Sequence, residues 1–292
     1  MKMLNKLVSA AAVAMAFAGS ANAGVVMNDW VFNPIGTGFA NGQTIHENLN
    51  VAGNSFIELT PKAGSNTAFS FTEHSVFNIP QADANGQLFP LNFPGGNITA
   101  TFVANGTGSL GGGFTFSGGT ISIYQNPVNS QYATAAGIYG ANLGNLIATF
   151  QVQPGGGGQV DQFGNPIANG QVTVNAMAQA GDLMPGYFFD KTGKDLSTQK
   201  VLSFAFTNAN PLQSPTALQV SEIMCEFAGY TGSGCNGTAY NPGPSNQLRT
   251  TLFLNTDGQF KLAEVPEPGS LALFGIAMLG AGVVTRKRAK KV

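Results

Sequence analysis

The sequence predicts an all-β protein: an antiparallel β-sandwich or jelly-roll-like body, with an N-terminal signal helix and a C-terminal hydrophobic helix. Three observations carry that expectation. Apolar and small polar residues alternate along many short runs, which is the period of a half-buried strand. Asn-Gly, Gly-Gly and Asp-Gly pairs separate the runs, and such pairs are strong hairpin signals. Nothing in the body repeats at 3.6 residues over any length; residues 213–227 alone suggest a helical turn or two.

Taken in order, residues 28–32 form a first strand with the single tryptophan, Trp30, as a core anchor. Alternation follows at 69–72, 99–103, 114–116, 120–124, 147–152, 172–174, 202–206 and 251–254. Thr, Phe, Ile and Val dominate these runs and suit a pleated surface. Turn signals fall at Asn41-Gly42, Asn85-Gly86, Asn105-Gly106, Gly118-Gly119, Asn169-Gly170 and Asp257-Gly258. Gly118-Gly119, between two short runs, is expected to be a tight hairpin. The stretch Pro154-Gly155-Gly156-Gly157-Gly158 is expected to be a long hairpin loop rather than an interdomain linker, because strand texture resumes at Val160.

Composition limits the function classes. Only 9% of the 292 residues are charged, while 43% are hydrophobic and 22 are Phe. A disordered chain has the opposite bias, so this chain can bury a core. Between residues 24 and 264, six of the 13 cations and 13 of the 14 acids remain, leaving a formal charge of −7. That surface excludes nucleic acid as a partner, and anionic polymers held by charge alone.

Both ends are addresses. Lys2 and Lys6 precede an apolar stretch at 7–18, and Ala21-Asn22-Ala23 supplies an A-x-A cleavage site. This is a secretory signal, 1–23, read by the Sec translocon and signal peptidase and cut after Ala23. The exported β-rich domain is 24–264. At the other end, Pro266-Glu267-Pro268 leads into 15 apolar residues, 270–284, and then Arg286, Lys287, Arg288, Lys290 and Lys291. The apolar run is shorter than the roughly 20 residues that span a bilayer comfortably. The basic cluster acts as a stop that stays cytoplasmic while the body crosses. Contact with the inner membrane is then transient, and 265–292 forms a tripartite sorting signal.

The segment VPEPGSLALFGIAMLGAGVVTRKRAKK resembles the PEP-CTERM sorting signal of Gram-negative bacteria. The resemblance implies that Pro266, Glu267 and Pro268 are the recognition motif of an exosortase, a membrane-embedded cysteine transpeptidase-like enzyme. It also implies export across the inner membrane to the cell surface or extracellular matrix. The body resembles PEP-CTERM proteins associated with flocculation, through the Trp30 strand, the run ITATFVANGTG at 98–108 and Ile121-Ser122-Ile123-Tyr124. That resemblance implies a role in retaining exopolysaccharide around aggregating cells.

Chemistry is sparse elsewhere. Cys225 and Cys235, in an exported chain, are expected to form a disulfide. His46-Glu47 and Glu73-His74 are the only His–carboxylate pairs; position 50 is Asn50, so the zinc-protease pattern fails. A two-His, two-Glu metal site requires adjacent strands to carry both pairs. Asp182, Asp190 and Asp195, near Tyr187, Phe188 and Phe189, are the candidates for paired-carboxylate hydrolysis. No G-x-S-x-G elbow is present. The expectation is a non-enzymatic surface or matrix protein with no catalytic, metal or cofactor residues. Its partners are exopolysaccharide or further copies of itself. The alternatives are a secreted polysaccharide-modifying enzyme and a surface adhesin that binds another protein.

Overall fold

The computed structural model describes residues 25–84, 87–90, 97–128, 130–244 and 249–265. Residues Val26–Ala263 form one compact unit; the other, Met1–Val25 with Glu264–Val292, lies almost wholly outside the described residues. Among the described residues, the strands are β1 (Val25–Val26), β2 (Trp30–Phe32), β3 (Gln43–Ile45), β4 (Leu49–Pro61), β5 (Ala68–Ala84), β6 (Gln87–Pro90) and β7 (Asn97–Ser109). They continue with β8 (Gly113–Asn126), β9 (Asn145–Val152), β10 (Gly155–Gln159), β11 (Gln171–Ala178), β12 (Phe188–Phe189), β13 (Val201–Pro211) and β14 (Thr251–Glu264). A short helix, α1 (Ala217–Gln219), runs on as a wider π-helical turn over Val220–Phe227. Thr216 and Gln219 cap its start reciprocally.

The expected sandwich is overturned. Strands β4, β5, β7, β8, β10, β11, β13 and β14 follow one another around a single sheet, and β14 pairs back onto β4. In that last pair, Phe253 faces Phe56 and Phe260 faces Leu49. The result is an eight-stranded antiparallel barrel, not two packed sheets and not a jelly roll. Length is part of the reason. Strands β4, β5, β7, β8 and β14 run 13, 17, 13, 14 and 14 residues, against about 5–6 for a typical strand. Strands of that length coil strongly, and a coiled sheet closes when its edges meet.

Glycines fit the wall to this curvature, and they account for two further corrections. Gly118-Gly119 is a bulge inside β8, not a hairpin. Asn105 of β7 faces Gly118, while the next residue, Gly106, faces Phe116. The extra residue shifts the inward set from Phe114 and Phe116 to Ile121 and Ile123, all of which line the interior. Pro154–Gly158 is not a loop either. Strands β9 and β10 lie end to end between β8 and β11, sharing one barrel position: Phe150 pairs with Ile121, and Gly157 with Thr173. Gly157 has φ +118°, and an added Cβ would lie 1.9 Å from the Phe114 carbonyl oxygen. Only glycine can bring the backbone this close. Asn105-Gly106 and Asp257-Gly258 also fall inside strands, whereas Asn41-Gly42 and Asn169-Gly170 do turn the chain.

The main core fills the barrel and continues into the small sheet β12-β2-β3, where Trp30 is fully buried against Phe32 and Phe188. A second core lies on the outer wall. Phe56, Val76 and Phe253 point outward there and pack under Ile223, Met224, Tyr139 and Ala141. Tyr132 donates to the Val76 carbonyl at 3.1 Å, and Gln219 Nε2 donates to Asn54 Oδ1 at 2.8 Å. The two expected terminal helices lie outside the described residues. Among the described residues no helix is long and apolar enough to cross a membrane.

Candidate functional site

The sequence-predicted chemistry does not converge. His46 Nδ1 meets Asp29 Oδ1 at 2.6 Å, and Glu47 pairs with Lys261 at 3.0 Å. Glu73 and His74 are neighbours on β5, so they point to opposite faces. Glu73 lines the barrel interior. His74 stands edge-on to Phe227, with ring centroids 5.1 Å apart, and burial holds its pKa below the usual histidine value. Among the described residues, no three of His, Cys, Asp and Glu gather where they could hold a metal ion.

The three aspartates are committed to turns. Asp190 Oδ1 accepts from Thr192 N, Thr192 Oγ1 and Lys194 N at 2.8, 2.7 and 3.0 Å. Asp195 accepts from Ser197 N and Gly186 N at 2.9 and 2.8 Å, and Asp182 accepts from Gln179 N at 2.8 Å. Partial burial alone would raise the Asp190 and Asp195 pKa values; these hydrogen bonds outweigh it and hold both below the ordinary carboxylate range. Tyr187, Phe188 and Phe189 are buried, so none offers a ring to a sugar. Trp30, at 0% exposure, offers none either.

Cys225 and Cys235 do form a disulfide, with Cα atoms 5.4 Å apart. It fastens the end of the helix to the loop that follows and borders a groove of about 810 Å³. Ala21, Ala23, Pro266, Glu267, Pro268, Arg286, Lys287, Arg288, Lys290 and Lys291 all lie outside the described residues.

Sequence reasoning missed the second groove, of about 550 Å³, across the outer wall where β4, β14, β13 and β11 run side by side. Asn50, Gln171, Asn208, Asp257 and Gln259 line it, with Phe206 among them. Phe206 is 42% exposed, although the alternation at 202–206 would put Leu202, Phe204 and Phe206 together on the buried face. The structure inverts that expectation. Ala205, Thr207 and Ala209 face inward, and Phe206 and Asn208 face outward. The interior has limited room, and the phenylalanines of β5, β7 and β8 occupy it. Strand β13 therefore presents small residues inward, as small barrels commonly require.

No curated protein and no solved structure matches the chain. Residues 264–288 match the PEP-CTERM protein-sorting motif. A disulfide fits the same extracytoplasmic route. The chain accordingly carries a PEP-CTERM sorting signal, which implies processing by an exosortase and export to the cell envelope or surface.

Proposed function

We propose that the protein is a non-enzymatic component of the extracellular matrix, whose barrel holds neutral exopolysaccharide near the cell and so promotes aggregation. The observation that supports this reading is the Phe206 groove. An exposed aromatic ring offers an apolar platform to the C–H face of a sugar. Amide side chains of Asn50, Gln171, Asn208 and Gln259 offer donors and acceptors for hydroxyl groups. Among the described residues, Asp257 is the one charged group in that lining, and the body carries a net negative charge. Both features favour a neutral chain over an anionic one.

Affinity electrophoresis through gels containing dextran, galactomannan or alginate tests the reading. The expected result is retardation in a neutral polysaccharide, lost in Phe206→Ala, with alginate having little effect. Equal mobility in every gel, or retardation unchanged in Phe206→Ala, overturns it. The sorting step has its own test. Replacing Pro266, Glu267 and Pro268 by Ala should leave the tail attached and the protein at the membrane, as read by intact mass and fractionation.

A further inference from the structure

We infer that the barrel interior is a binding site for a compact apolar molecule carrying one hydrogen-bond acceptor, a short ketone or ester, held by the carboxyl of Glu73. This inference is independent of the polysaccharide reading.

The inward side chains leave a cavity of about 100 Å³. Its walls include Ile57, Phe71, Phe77, Phe102, Phe114 and Phe116. Ile57, Phe77 and Phe114 are partly buried and line it. Most of this lining is apolar, which favours an apolar molecule over ordered water through most of the space. Its volume suits a molecule somewhat smaller than benzene, which an engineered cavity of roughly 150 Å³ admits.

Among the described residues, Glu73 is the one ionisable group in this lining, and the other polar side chains are the hydroxyls of Thr207 and Thr256. A carboxyl placed there costs stability relative to a leucine of similar size, because among the described residues no cation pairs with it. A short chain of hydroxyls addresses one of its oxygens. Thr256 Oγ1 lies 3.4 Å from Ser55 Oγ, and Ser55 and Ser75 are 2.7 Å apart. Ser75 donates to Glu73 Oε1 at 2.7 Å. Ser75 Oγ is the donor towards Ser55 Oγ as well as towards Glu73 Oε1, so its single proton serves one of them at a time. Ser75 stands at hydrogen-bond distance from the carboxyl and meets Oε1; Oε2 is left for the cavity that Glu73 lines. Burial raises the Glu73 pKa, opposed only in part by the bonds from Ser75 and Ser55. At pH values below that raised pKa the carboxyl carries a proton and can donate it as a hydrogen bond, as neutral acids do in apolar sites. A ligand with a single carbonyl oxygen completes the arrangement; a purely apolar one leaves the donor unused.

The probes are 2-butanone and 2-methyl-1-butene, which share a shape and differ in the carbonyl oxygen. Binding is followed on the exported protein by methyl NMR of the inward Ile, Leu and Val residues. Both probes should shift Ile57, Ile121 and Ile123 saturably. Glu73→Leu should weaken butanone about tenfold and leave the alkene nearly unchanged. Glu73→Gln keeps a donor and should retain butanone. In the wild type, raising the pH through the Glu73 titration should weaken butanone alone, a readout that needs no variant to fold. Absence of any interior shift overturns the site. Equal weakening of both probes in Glu73→Leu, or pH-independent butanone binding, overturns the role of Glu73.

Discussion

The protein has two hydrophobic cores that share one wall, and they are packed differently. Inside the barrel, rings and branched chains surround an unfilled space with a carboxyl at its edge. Outside, Phe56, Val76 and Phe253 lie sealed beneath the helix, Tyr139 and the disulfide-bounded loop, all at or near zero exposure. The difference follows from geometry. A closed barrel has its radius set by strand number and tilt, and side chains must fill what remains. A helix laid on a wall is free to settle until contact is complete. The outer core is therefore the more completely filled of the two, and the inner one has space left over for a ligand.

The wall away from the outer core, where β10 lies between β8 and β11, should be the most sensitive point. Gly157→Ala would force a Cβ against the Phe114 carbonyl at a positive φ, and should cost more than about 4 kcal/mol, read as a collapse of the urea midpoint. Gly155, with φ +104° and open space around its Cβ position, is the control; Gly155→Ala should cost only about 1–2 kcal/mol of backbone strain.

The two cores can then be set directly against each other. Phe253→Ala in the sealed outer core should cost about 3–5 kcal/mol. Phe114→Ala enlarges a space that already exists and should cost clearly less. Equal losses in denaturant unfolding would remove the distinction. Opening the disulfide with Cys225→Ser and Cys235→Ser should cost about 2–3 kcal/mol. The loss should appear as early hydrogen exchange around residues 217–227, with the barrel strands still protected.

The smallest effect concerns pH. Glu73 has a raised pKa in the folded state, so the native protein holds its proton more tightly than the unfolded chain does. Its contribution is fully present below the unfolded pKa and is lost as pH rises from there towards the folded value. Over that window Glu73→Gln should remove a slope of up to about 1.4 kcal/mol per pH unit from the stability curve. Identical curves for the two proteins would place the carboxyl in contact with solvent.

Strand β4 shows why part of the fold was hidden. Its sequence, LNVAGNSFIELTP, puts Phe56 outward and Ile57 inward on consecutive residues. A strand buried on both faces loses its alternation, so no run was visible there. Strand β10 was hidden for the opposite reason: four glycines and a glutamine carry no pattern at all. The Phe206 groove was concealed by a regular alternation of the wrong sign. By contrast, 69–72, 99–103, 147–152 and 251–254 were legible because each lies within a strand whose inward face is apolar.

The sequence by itself determined the all-β character, the buried Trp30 strand, the short helix near 217–227, the Cys225–Cys235 bridge and the sorting motif. All of these depend on residues close together in the chain, where local propensity and spacing suffice. Only the tertiary structure decided that the sheet closes, that Gly118-Gly119 bends a strand instead of ending it, and that Glu73 stands inside while Phe206 stands outside. Those outcomes turn on β14 meeting β4 across some two hundred residues. The direction in which a side chain points is settled by that closure and not by the identity of its neighbours in sequence.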